Sequence, residues 1–497
     1  MLAKNKWSIY FLLAILSIPL FLLNVRDVHL WGDDYSQYIK EGQNFASGLP
    51  YYQSTYVYNN LNHEFGPPSY PPGFPLMLAP IIKVFGITIR PMLYLIAACL
   101  AGLLFAMYAL FRRYMGPLSA ICLASAGVYS GYIIDLKSNI LADIPLTLFV
   151  TLYLLYRDES RTTIKRLVLL LFLVVSAMLI RSQTIVLLLA EGVFFVYTLL
   201  HKYFTKKSLS FKDLTGSLSL RILLPGSLLY LFCIKIVFPN PLDSWGFYFQ
   251  LFALNKGKWS SVIAFNFGYL IDLLKSMVHF LAHGSFRRGI VTIMEYTGLI
   301  FSLLGFLYSI RRKITFEDVF FILMCAMIIG LSVYQGVRYI LPILPIFLLY
   351  CYRTARLVLP RVLLVNNTAI TIGVMAIYLF AGLDEYRKAA APDDLYWTPY
   401  SKEDSLAFKY IRSNINDTEI IAFSKPRALA LYTGKKAMTM GQVSATDNKK
   451  RFDSLHVRYM LIKTDVEDSA FKKYISLLHP AIDSLPIAKN YTLYKFY

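Results

Sequence analysis

Long apolar stretches separated by short polar segments make up most of this chain. The clear ones have about the length that an α-helix needs to cross the hydrocarbon core of a bilayer, about 20 residues. The pattern therefore predicts an all-α polytopic membrane protein. Eleven such stretches run near 7–24, 91–111, 117–134, 141–156, 164–180, 184–203, 220–238, 290–310, 317–334, 338–353 and 362–383.

Two further apolar segments, near 71–86 and 262–282, are ambiguous, and counting both as spanning would give thirteen helices. Lysine and arginine are enriched in the cytoplasmic loops of membrane proteins, so loop charge can decide the number. With thirteen helices, the basic loops from Arg112 to Arg221 would lie outside the cell. We therefore predict eleven helices, with the two ambiguous segments as juxtamembrane or re-entrant helices on the outer side.

Beyond residue 383 the pattern changes to short alternating stretches in a polar segment. "TEIIAF", "RYMLIK" and "YTLYKFY" alternate as β-strands do, and "SLAFKYIRSNI" and "DSAFKKYISLL" have the spacing of amphipathic helices. The pattern predicts a transmembrane domain over 1–383, with a first outer loop over 25–90, and a C-terminal α/β domain over 384–497. An odd number of spans places the α/β domain on the extracytoplasmic side.

Composition supports the same class of protein. Hydrophobic residues are 57% and charged residues 16% of the chain, and the mean hydropathy is +0.51, which leaves too little polar surface for a soluble protein of this size. The basic cytoplasmic loops account for the net charge of +20, so no nucleic acid partner is expected. The five cysteines show neither metal-site spacing nor a disulfide framework. No small-residue cleavage site follows the first apolar stretch, which favours an uncleaved helix.

Carboxylates stand at two predicted outer helix starts. In "HLWGDDYSQYIKEG", Asp33 and Asp34 precede apolar residues at helical spacing, which predicts the first turn of an amphipathic helix on the membrane surface. Asp143, in "LADIPLTLFVTLYLLY", begins a helix at the membrane boundary. Capping a helix is the ordinary role of such acids. An ionisable group at the membrane boundary is also a candidate for function.

Two arginines interrupt apolar stretches at predicted outer ends. Arg181 lies in "AMLIRSQTI" and Arg338 in "YQGVRYILPILPIFLLY". Each side chain could simply extend to the interface, which is the more common role. Each could instead bind a lipid phosphate, because a guanidinium recognises phosphate through paired hydrogen bonds. The predicted topology brings these cations and the candidate acids to one membrane face.

Histidines offer a metal site as an alternative. "NHEFGPPSYPPGFP" contains His63 and Glu64, and "HFLAH" places His279 and His283 four residues apart, on one face of a predicted helix. These four residues are the candidate ligands of a divalent metal. Such histidines more often have an interfacial or structural role, so no cofactor is predicted and the metal is kept as the alternative.

The order and spacing of these motifs resemble those of the membrane glycosyltransferases of the GT-C fold. The resemblance rests on the "DD" pair after the first helix, on "PPGFPLMLAPIIKVFG" and on "LADIPLTLFVTLYLL". "RYILPILPIFLLY" resembles a late membrane helix of the protein-mannosyltransferase-like and aminoarabinose (lipid A) transferase-like group, and "FSKPRALALYTGKKA" resembles part of its extracytoplasmic tail. The resemblance covers residues 29–497.

The resemblance implies a polyprenyl-phosphate-linked sugar donor and roles for particular residues. Asp33 matches the catalytic base, Asp34 its neighbouring acid, and Asp143 a second acid at the start of a later helix. Arg181 matches a basic residue near the donor phosphate.

The chain departs from the family pattern at the proline motif of the first loop. Many relatives have a lysine before the proline pair, whereas Gly66 and Tyr70 precede the two pairs here. If that lysine contacts donor phosphate in relatives, either Lys83, Arg90 or Lys137 replaces it or the donor differs. The predicted donor-phosphate ligands are Arg181, Arg338, Lys137 and Lys83.

The resemblance thus implies a hexosyl- or pentosyltransferase of a bacterial inner membrane, with a lipid, protein or glycan acceptor on the extracytoplasmic side. A carboxylate can orient or deprotonate an acceptor, and cations can stabilise the leaving phosphate. A lipid-linked glycan ligase or polymerase with an oligosaccharide donor is the nearest alternative. A membrane transporter is the alternative of a different class, although no inverted repeat is visible.

Overall fold

The structure is a computed structural model of the 497-residue chain. The residues that it describes are 6–62, 65–157, 163–206, 210, 214–242, 257–280, 282–330, 336–363, 367–391, 398–464, 471, 474–475 and 482–496.

Helices account for most of the described residues up to Phe232. Pro117 occupies the first turn of one helix, where its missing N–H would have no partner in any case. Thr163 caps another helix by accepting a hydrogen bond from the backbone N–H of Arg166. These helices are α1 (Lys6–Ser17), α2 (Asp33–Ala46), α3 (Gly73–Phe85), α4 (Ile89–Phe111), α5 (Pro117–Val128), α6 (Gly131–Leu136), α7 (Asp143–Tyr156), α8 (Ile164–Ile180), α9 (Ile185–Lys206) and α10 (Leu218–Phe232).

Helices continue through the second half, where strands join them after residue 419. Ser401 and Asp404 form a reciprocal capping box at the start of one of these helices. The helices are α11 (Trp259–Ser276), α12 (Ser285–Arg312), α13 (Phe316–Gly330), α14 (Leu344–Leu363), α15 (Asn367–Ala381), α16 (Leu383–Ala390), α17 (Lys402–Asn414), α18 (Pro426–Thr433) and α19 (Ala445–Leu455).

Several helices have the length and apolarity of membrane spans. Within the described ranges, five stretches meet both criteria, and shorter apolar helices occupy other predicted spans. The prediction of a polytopic helical membrane protein is confirmed, while the number eleven stays a prediction. The ambiguous segments form helices α3 and α11. The five stretches are Ile89–Phe111, Ser182–Thr205, Leu218–Val237, Ser285–Arg312 and Leu341–Val358.

The backbone packs into two compact units. One consists of helices and is called the helical unit; the other contains the β-sheet and is called the sheet unit. The sheet unit combines most of the predicted first outer loop with most of the predicted α/β domain. The helical unit comprises Met1–Val25, Leu93–Pro239 and Asn255–Ala391, and the sheet unit comprises Arg26–Met92, Asn240–Leu254 and Pro392–Tyr497.

Charged side chains inside the helical unit have partners. Arg157 donates from Nε to Glu191 Oε1 at 2.7 Å, and its guanidinium lies 3.9 Å from the centre of the Phe316 ring. The side chains of Arg157 and Glu191 are 6% and 0% exposed. Because an unpaired buried ion costs several kcal/mol, each of these two charges depends on the other at the contact between α7 and α9.

A five-stranded mixed sheet forms the centre of the sheet unit, in the order β2-β1-β3-β5-β4. β1 is parallel to β2 and β3, whereas β5 is antiparallel to β3 and β4. The three predicted strands correspond to β1, β3 and β5, and the predicted helix "SLAFKYIRSNI" corresponds to α17. "DSAFKKYISLL" lies mostly outside the described residues. The strands are β1 (Ile420–Ala422), β2 (Lys436–Met438), β3 (Val457–Lys463), β4 (Ile482–Ala488) and β5 (Tyr491–Phe496).

Part of the first loop extends this sheet beyond β2. The Val57 N–H donates to Ala437 O at 2.8 Å, and the Ala437 N–H donates to Thr55 O at 3.0 Å. Asn59 Nδ2 donates to Thr439 O at 2.8 Å. These backbone groups lie more than 370 residues apart in sequence, so tertiary folding makes the first loop a structural part of the C-terminal domain.

The core of the sheet unit also draws on both parts of the sequence. Trp31 is 9% exposed and packs edge-on against Phe408 and Phe423, with ring centroids 6.2 and 6.0 Å away. Burying large aromatic rings contributes strongly to stability. Trp31 thereby fixes the chain two residues before the acid pair of α2.

Candidate functional site

The acid pair stands at the N-terminus of α2, as the spacing predicts. Asp33 is the first residue of the helix, and Gly32 precedes it in an extended conformation. A Cβ at Gly32 would overlap the Tyr35 ring, so the close approach of ring and backbone requires glycine. The structure describes the backbone of Asp33 and leaves its side chain outside the described atoms. Its role as catalytic base stays a prediction.

Asp34 has two defined partners in the sheet unit. The Tyr70 hydroxyl donates to Asp34 Oδ1 at 2.6 Å, and Arg427 NH1 lies 3.4 Å from the same oxygen. The Asp34 side chain is 23% exposed, whereas that of Arg427 is 1% exposed. A half-buried carboxylate held by a hydroxyl and a guanidinium is oriented and still open to a ligand.

A second acid on the same helix is completely buried. Glu41 lies two turns after Asp34, and its Oε1 accepts hydrogen bonds from Gln37 Nε2 at 2.7 Å and from the Tyr70 N–H at 3.0 Å. Burial raises the pKa of Glu41 to about 8, because a low-dielectric environment disfavours the charged form. Tyr70 therefore contacts both acids, through its hydroxyl at Asp34 and its backbone at Glu41.

The apolar face of α2 packs against protein rather than lying open on a surface. Tyr38 is 1% and Ile39 0% exposed. The Tyr38 ring stacks on Tyr70 at 4.5 Å and meets Phe74 of α3 edge-on at 4.9 Å. The helical spacing was predicted, but tertiary packing uses this face to hold α2 against α3, since burying aromatic surface is favourable.

The helical unit contains the other predicted acid, Asp143, together with both predicted arginines. Arg181 NH1 donates to Asp143 Oδ1. Arg338 Nε lies 3.6 Å from Asp143 Oδ2. The Asp143 side chain is 0% exposed, and those of Arg181 and Arg338 are 9% and 19% exposed. Three segments that are distant in sequence thus place one carboxylate between two guanidinium groups.

Two guanidinium groups and one carboxylate meet in this cluster. Both arginines lie where regular helix ends or changes. Arg181 follows α8 in an extended conformation, and Arg338 lies in the 3₁₀ turn Gly336–Tyr339. The Tyr339 ring lies 5.0 Å from the Arg181 guanidinium. Two adjacent guanidinium groups, one of them partly exposed, form an arrangement that can bind a phosphate. Asp143 holds both guanidinium groups in place.

The other predicted phosphate ligands lie apart from this cluster. Lys137 is 0% exposed, and its amine donates to the Leu23 carbonyl. Burial lowers the pKa of Lys137 to about 8. Lys83 is exposed in the last turn of α3. Arg90 forms an exposed ion pair with Asp27 at 2.5 Å. Phosphate binding by Lys137 and Lys83 stays a prediction.

The prediction of two histidines on one helical face is wrong. Helix α11 ends at Ser276, so His279 and His283 follow it without helical spacing. His279 Nδ1 lies 2.5 Å from Glu295 Oε1, whereas the backbone N–H of His283 donates to Asp384 Oδ2 at 2.8 Å.

The other two candidate metal ligands, His63 and Glu64, lie outside the described residues. In the part of the chain that is described, no three His, Cys, Asp or Glu side chains are placed to hold a metal ion.

Sequence reasoning gave no role to Arg427, Tyr70 or Glu41. Arg427 lies in "FSKPRALALYTGKKA", which resembles a family segment, and Tyr70 stands where many relatives have lysine. A buried arginine must meet an anion or several acceptors. That requirement becomes visible only when burial is known.

Comparison with known proteins gives a partial family match in sequence. Residues 69–229 match the family model described as dolichyl-phosphate-mannose-protein mannosyltransferase. No curated protein sequence matches the chain significantly.

Solved structures match over nearly the whole chain. ArnT from Cupriavidus metallidurans bound to undecaprenyl phosphate is 13% identical, with a TM-score of 0.57 over 99% of this chain and 98% of that one. AglB, an oligosaccharyltransferase from Archaeoglobus fulgidus in complex with an inhibitory peptide and a dolichol-phosphate, is 12% identical, with a TM-score of 0.57 over 99% and 74%. The arabinofuranosyltransferase AftD from Mycobacteria is 11% identical, with a TM-score of 0.51 over 99% and 40%.

These matches share the GT-C fold, which confirms the fold that the sequence motifs predicted. The family model adds a match in sequence over α3 to α10. The chain therefore has the fold of a GT-C membrane glycosyltransferase, and the prediction of that enzyme class is confirmed.

Proposed function

We propose that this chain transfers a sugar from a polyprenyl-phosphate-linked donor to an acceptor on the extracytoplasmic face of a bacterial inner membrane. The observation that carries the proposal is the buried Asp143 carboxylate between the Arg181 and Arg338 guanidinium groups. Cations at this place would stabilise the charge that develops on a departing lipid phosphate. The undecaprenyl phosphate bound to ArnT and the dolichol-phosphate in the AglB complex support this class of donor.

The proposed step balances as a substitution at the anomeric carbon. The acceptor oxygen forms a new bond to that carbon, and the bond from the carbon to the phosphate oxygen breaks. The phosphate leaves with the bonding electrons, and the acceptor proton passes to Asp33, the proposed base. Asp34 and Asp143 position the acceptor or stabilise charge.

The direct test uses the purified full chain in lipid nanodiscs with a panel of polyprenyl-phosphate monosaccharides. Release of polyprenyl phosphate is followed with candidate lipid, peptide and glycan acceptors. Asp33→Asn should lower kcat by at least about 10²-fold, the scale of general base catalysis. Asp272→Asn is the control, because this acid is 67% exposed and pairs with Lys275 one turn away. Near-wild-type transfer by folded Asp33→Asn protein would exclude Asp33 as the base.

An oligosaccharide donor is the second candidate, favoured by the equal TM-score to the oligosaccharyltransferase AglB, 0.57. Parallel reactions with lipid-linked mono- and oligosaccharide separate the two. Mass spectrometry of cells that lack the protein provides an independent measurement. The donor should accumulate while one glycoform disappears, and accumulation of an oligosaccharide lipid alone would favour the second candidate.

The proposed face of the membrane can be tested with reporter fusions. Alkaline phosphatase inserted at the exposed, positive-φ turn Gly48 should be active, since the enzyme folds only outside the cytoplasm. A fusion after Arg312 should be inactive. The reverse pattern would place the acid pair in the cytoplasm and overturn the proposed topology.

A further inference from the structure

We propose that Arg427, a residue of the C-terminal domain, is a positioning residue that orients the Asp34 carboxylate in the proposed active site. The inference rests on the proposed function and adds a residue from α18 to the machinery. The ion pair joins residues 393 positions apart in sequence, both within the sheet unit.

The surroundings of Arg427 hold its guanidinium in one orientation. NH2 donates to Pro67 O at 2.8 Å, and NH1 donates to Tyr70 Oη at 3.0 Å. The guanidinium carbon lies 4.9 Å from the centre of the Tyr56 ring and 5.2 Å from that of Tyr70. Aromatic faces and fixed acceptors on several sides leave a planar group little freedom.

Burial explains why the Arg427 guanidinium requires a nearby anion. Only 2% of Arg427 is exposed. A guanidinium withdrawn from water is stabilised by a nearby negative charge more than by neutral acceptors alone. Asp34 provides that charge at 3.4 Å and is itself 23% exposed. The cation therefore lies on the protein side of the carboxylate, and the exposed part of Asp34 remains available to a ligand.

Tyr70 links the two charged groups. Its hydroxyl donates to Asp34 and accepts from Arg427, so one rigid ring fixes the distance between them. The Tyr70 position belongs to the proline-rich turn, whose Pro67 carbonyl is the other acceptor for Arg427. The start of α2, the proline-rich turn and the start of α18 thus form one hydrogen-bonded network around Asp34.

The network predicts a defect in turnover rather than in substrate binding. Without the cation, Asp34 loses a fixed orientation, and misorientation of a catalytic group lowers kcat more than it raises KM. Arg427→Gln should lower kcat by about 10²-fold with the donor KM changed by less than about 3-fold. Arg427→Lys, which keeps the charge without the planar fork, should recover at least about a tenth of the wild-type kcat.

The experiment compares these variants with Tyr70→Phe and with a charge-matched control. Lys435→Gln is the control, because it removes a buried cation from the same domain. Its partner, Asp417, has no part in the network. Tyr70→Phe deletes a single oxygen atom and should lower kcat by about 10-fold. Because both changes act on Asp34, the double variant Tyr70→Phe/Arg427→Gln should lose less than the product of the single losses.

Several outcomes would overturn the inference. Wild-type kcat in Arg427→Gln, a loss in Lys435→Gln equal to that in Arg427→Gln, or strictly multiplicative losses in the double variant would each exclude positioning of Asp34 by Arg427. If Arg427→Gln does not fold, full activity of both Arg427→Lys and Tyr70→Phe would exclude it as well. Full activity of Asp34→Asn would overturn the inference as well, whereas absence of sugar transfer by the wild-type chain with every donor and acceptor tested would instead contradict the proposed function.

Discussion

Arg181 and Asp143, which lie 38 residues apart in sequence, form a buried ion pair between the end of α8 and the start of α7. The carboxylate is completely buried, so it depends on the arginines for its charge balance. Breaking such a pair from one side leaves an uncompensated ion, which costs about 3–5 kcal/mol.

Arg181→Met should therefore lower the thermal stability of the protein sharply. The free energy of unfolding should fall by about 3–5 kcal/mol, because Asp143 would retain only the weaker contact with Arg338. The measurement is thermal unfolding in detergent followed by intrinsic fluorescence. The double variant Arg181→Met/Asp143→Asn should be more stable than Arg181→Met alone. A double variant that is less stable would show that the pair does not account for the loss.

Arg338→Gln should affect donor use more than stability. Its side chain is 19% exposed and its Nε lies 3.6 Å from Asp143, so the ion pair is looser than that of Arg181. The donor KM should rise by about 10-fold, equivalent to about 1.4 kcal/mol of lost binding, with a melting temperature close to that of the wild type. Arg387→Gln, at a 73% exposed arginine, is the control. An unchanged donor KM would argue against phosphate binding by Arg338.

Glu41 should make the stability of the protein depend on pH. The pKa is about 8 in the folded chain against an ordinary value of 4.5, so the folded state holds a proton that the unfolded state has released. Stability from this group is present below about pH 4.5 and is lost as the pH rises towards 8.

Glu41→Gln should remove this dependence. The stability difference in favour of the variant should widen by about 1.4 kcal/mol per pH unit between pH 5 and pH 8, the value for one proton. Melting temperatures of both proteins at several pH values test this. Parallel curves for wild type and variant would show that Glu41 does not titrate in this range.

Gly305→Ala should destabilise the packing of α12 against α14. A Cβ at Gly305 would overlap the backbone carbonyl of Tyr350, which cannot rotate away as a side chain can. We expect a loss of about 1–3 kcal/mol, the usual cost of overpacking. Gly373→Ala in α15 is the matched control, because no atom lies within 4 Å of a Cβ there. Equal stability of the two variants would contradict this packing argument.

The sequence alone predicted the elements that follow from local periodicity. Apolar stretches of membrane length became helices such as α4 and α12, and alternating stretches became strands β1, β3 and β5. Asp33 and Asp143 begin helices, as their positions before apolar runs indicate. These features depend on side chains within a few residues of one another, so the sequence of a single segment is enough to predict them.

Some local predictions failed because a helix ends or divides where the side-chain spacing does not indicate it. The spacing of His279 and His283 indicates a shared helical face, but α11 ends at Ser276. Gly284, whose φ of +81° favours glycine, caps the start of α12, so both histidines lie between the two helices. Similarly, the span predicted over 117–134 is divided between α5 and α6.

What the sequence determined by itself is therefore the type of most elements, the enzyme class through its ordered motifs, and the identity of the charged residues at helix ends. Only the tertiary structure decided which charges meet: Asp143 with Arg181 and Arg338, and Asp34 with Arg427. Whether the two clusters share a cavity stays a prediction. The physical reason is that a buried ion requires a partner of opposite charge. Long-range packing determines which ions are buried, and no local sequence pattern contains that packing.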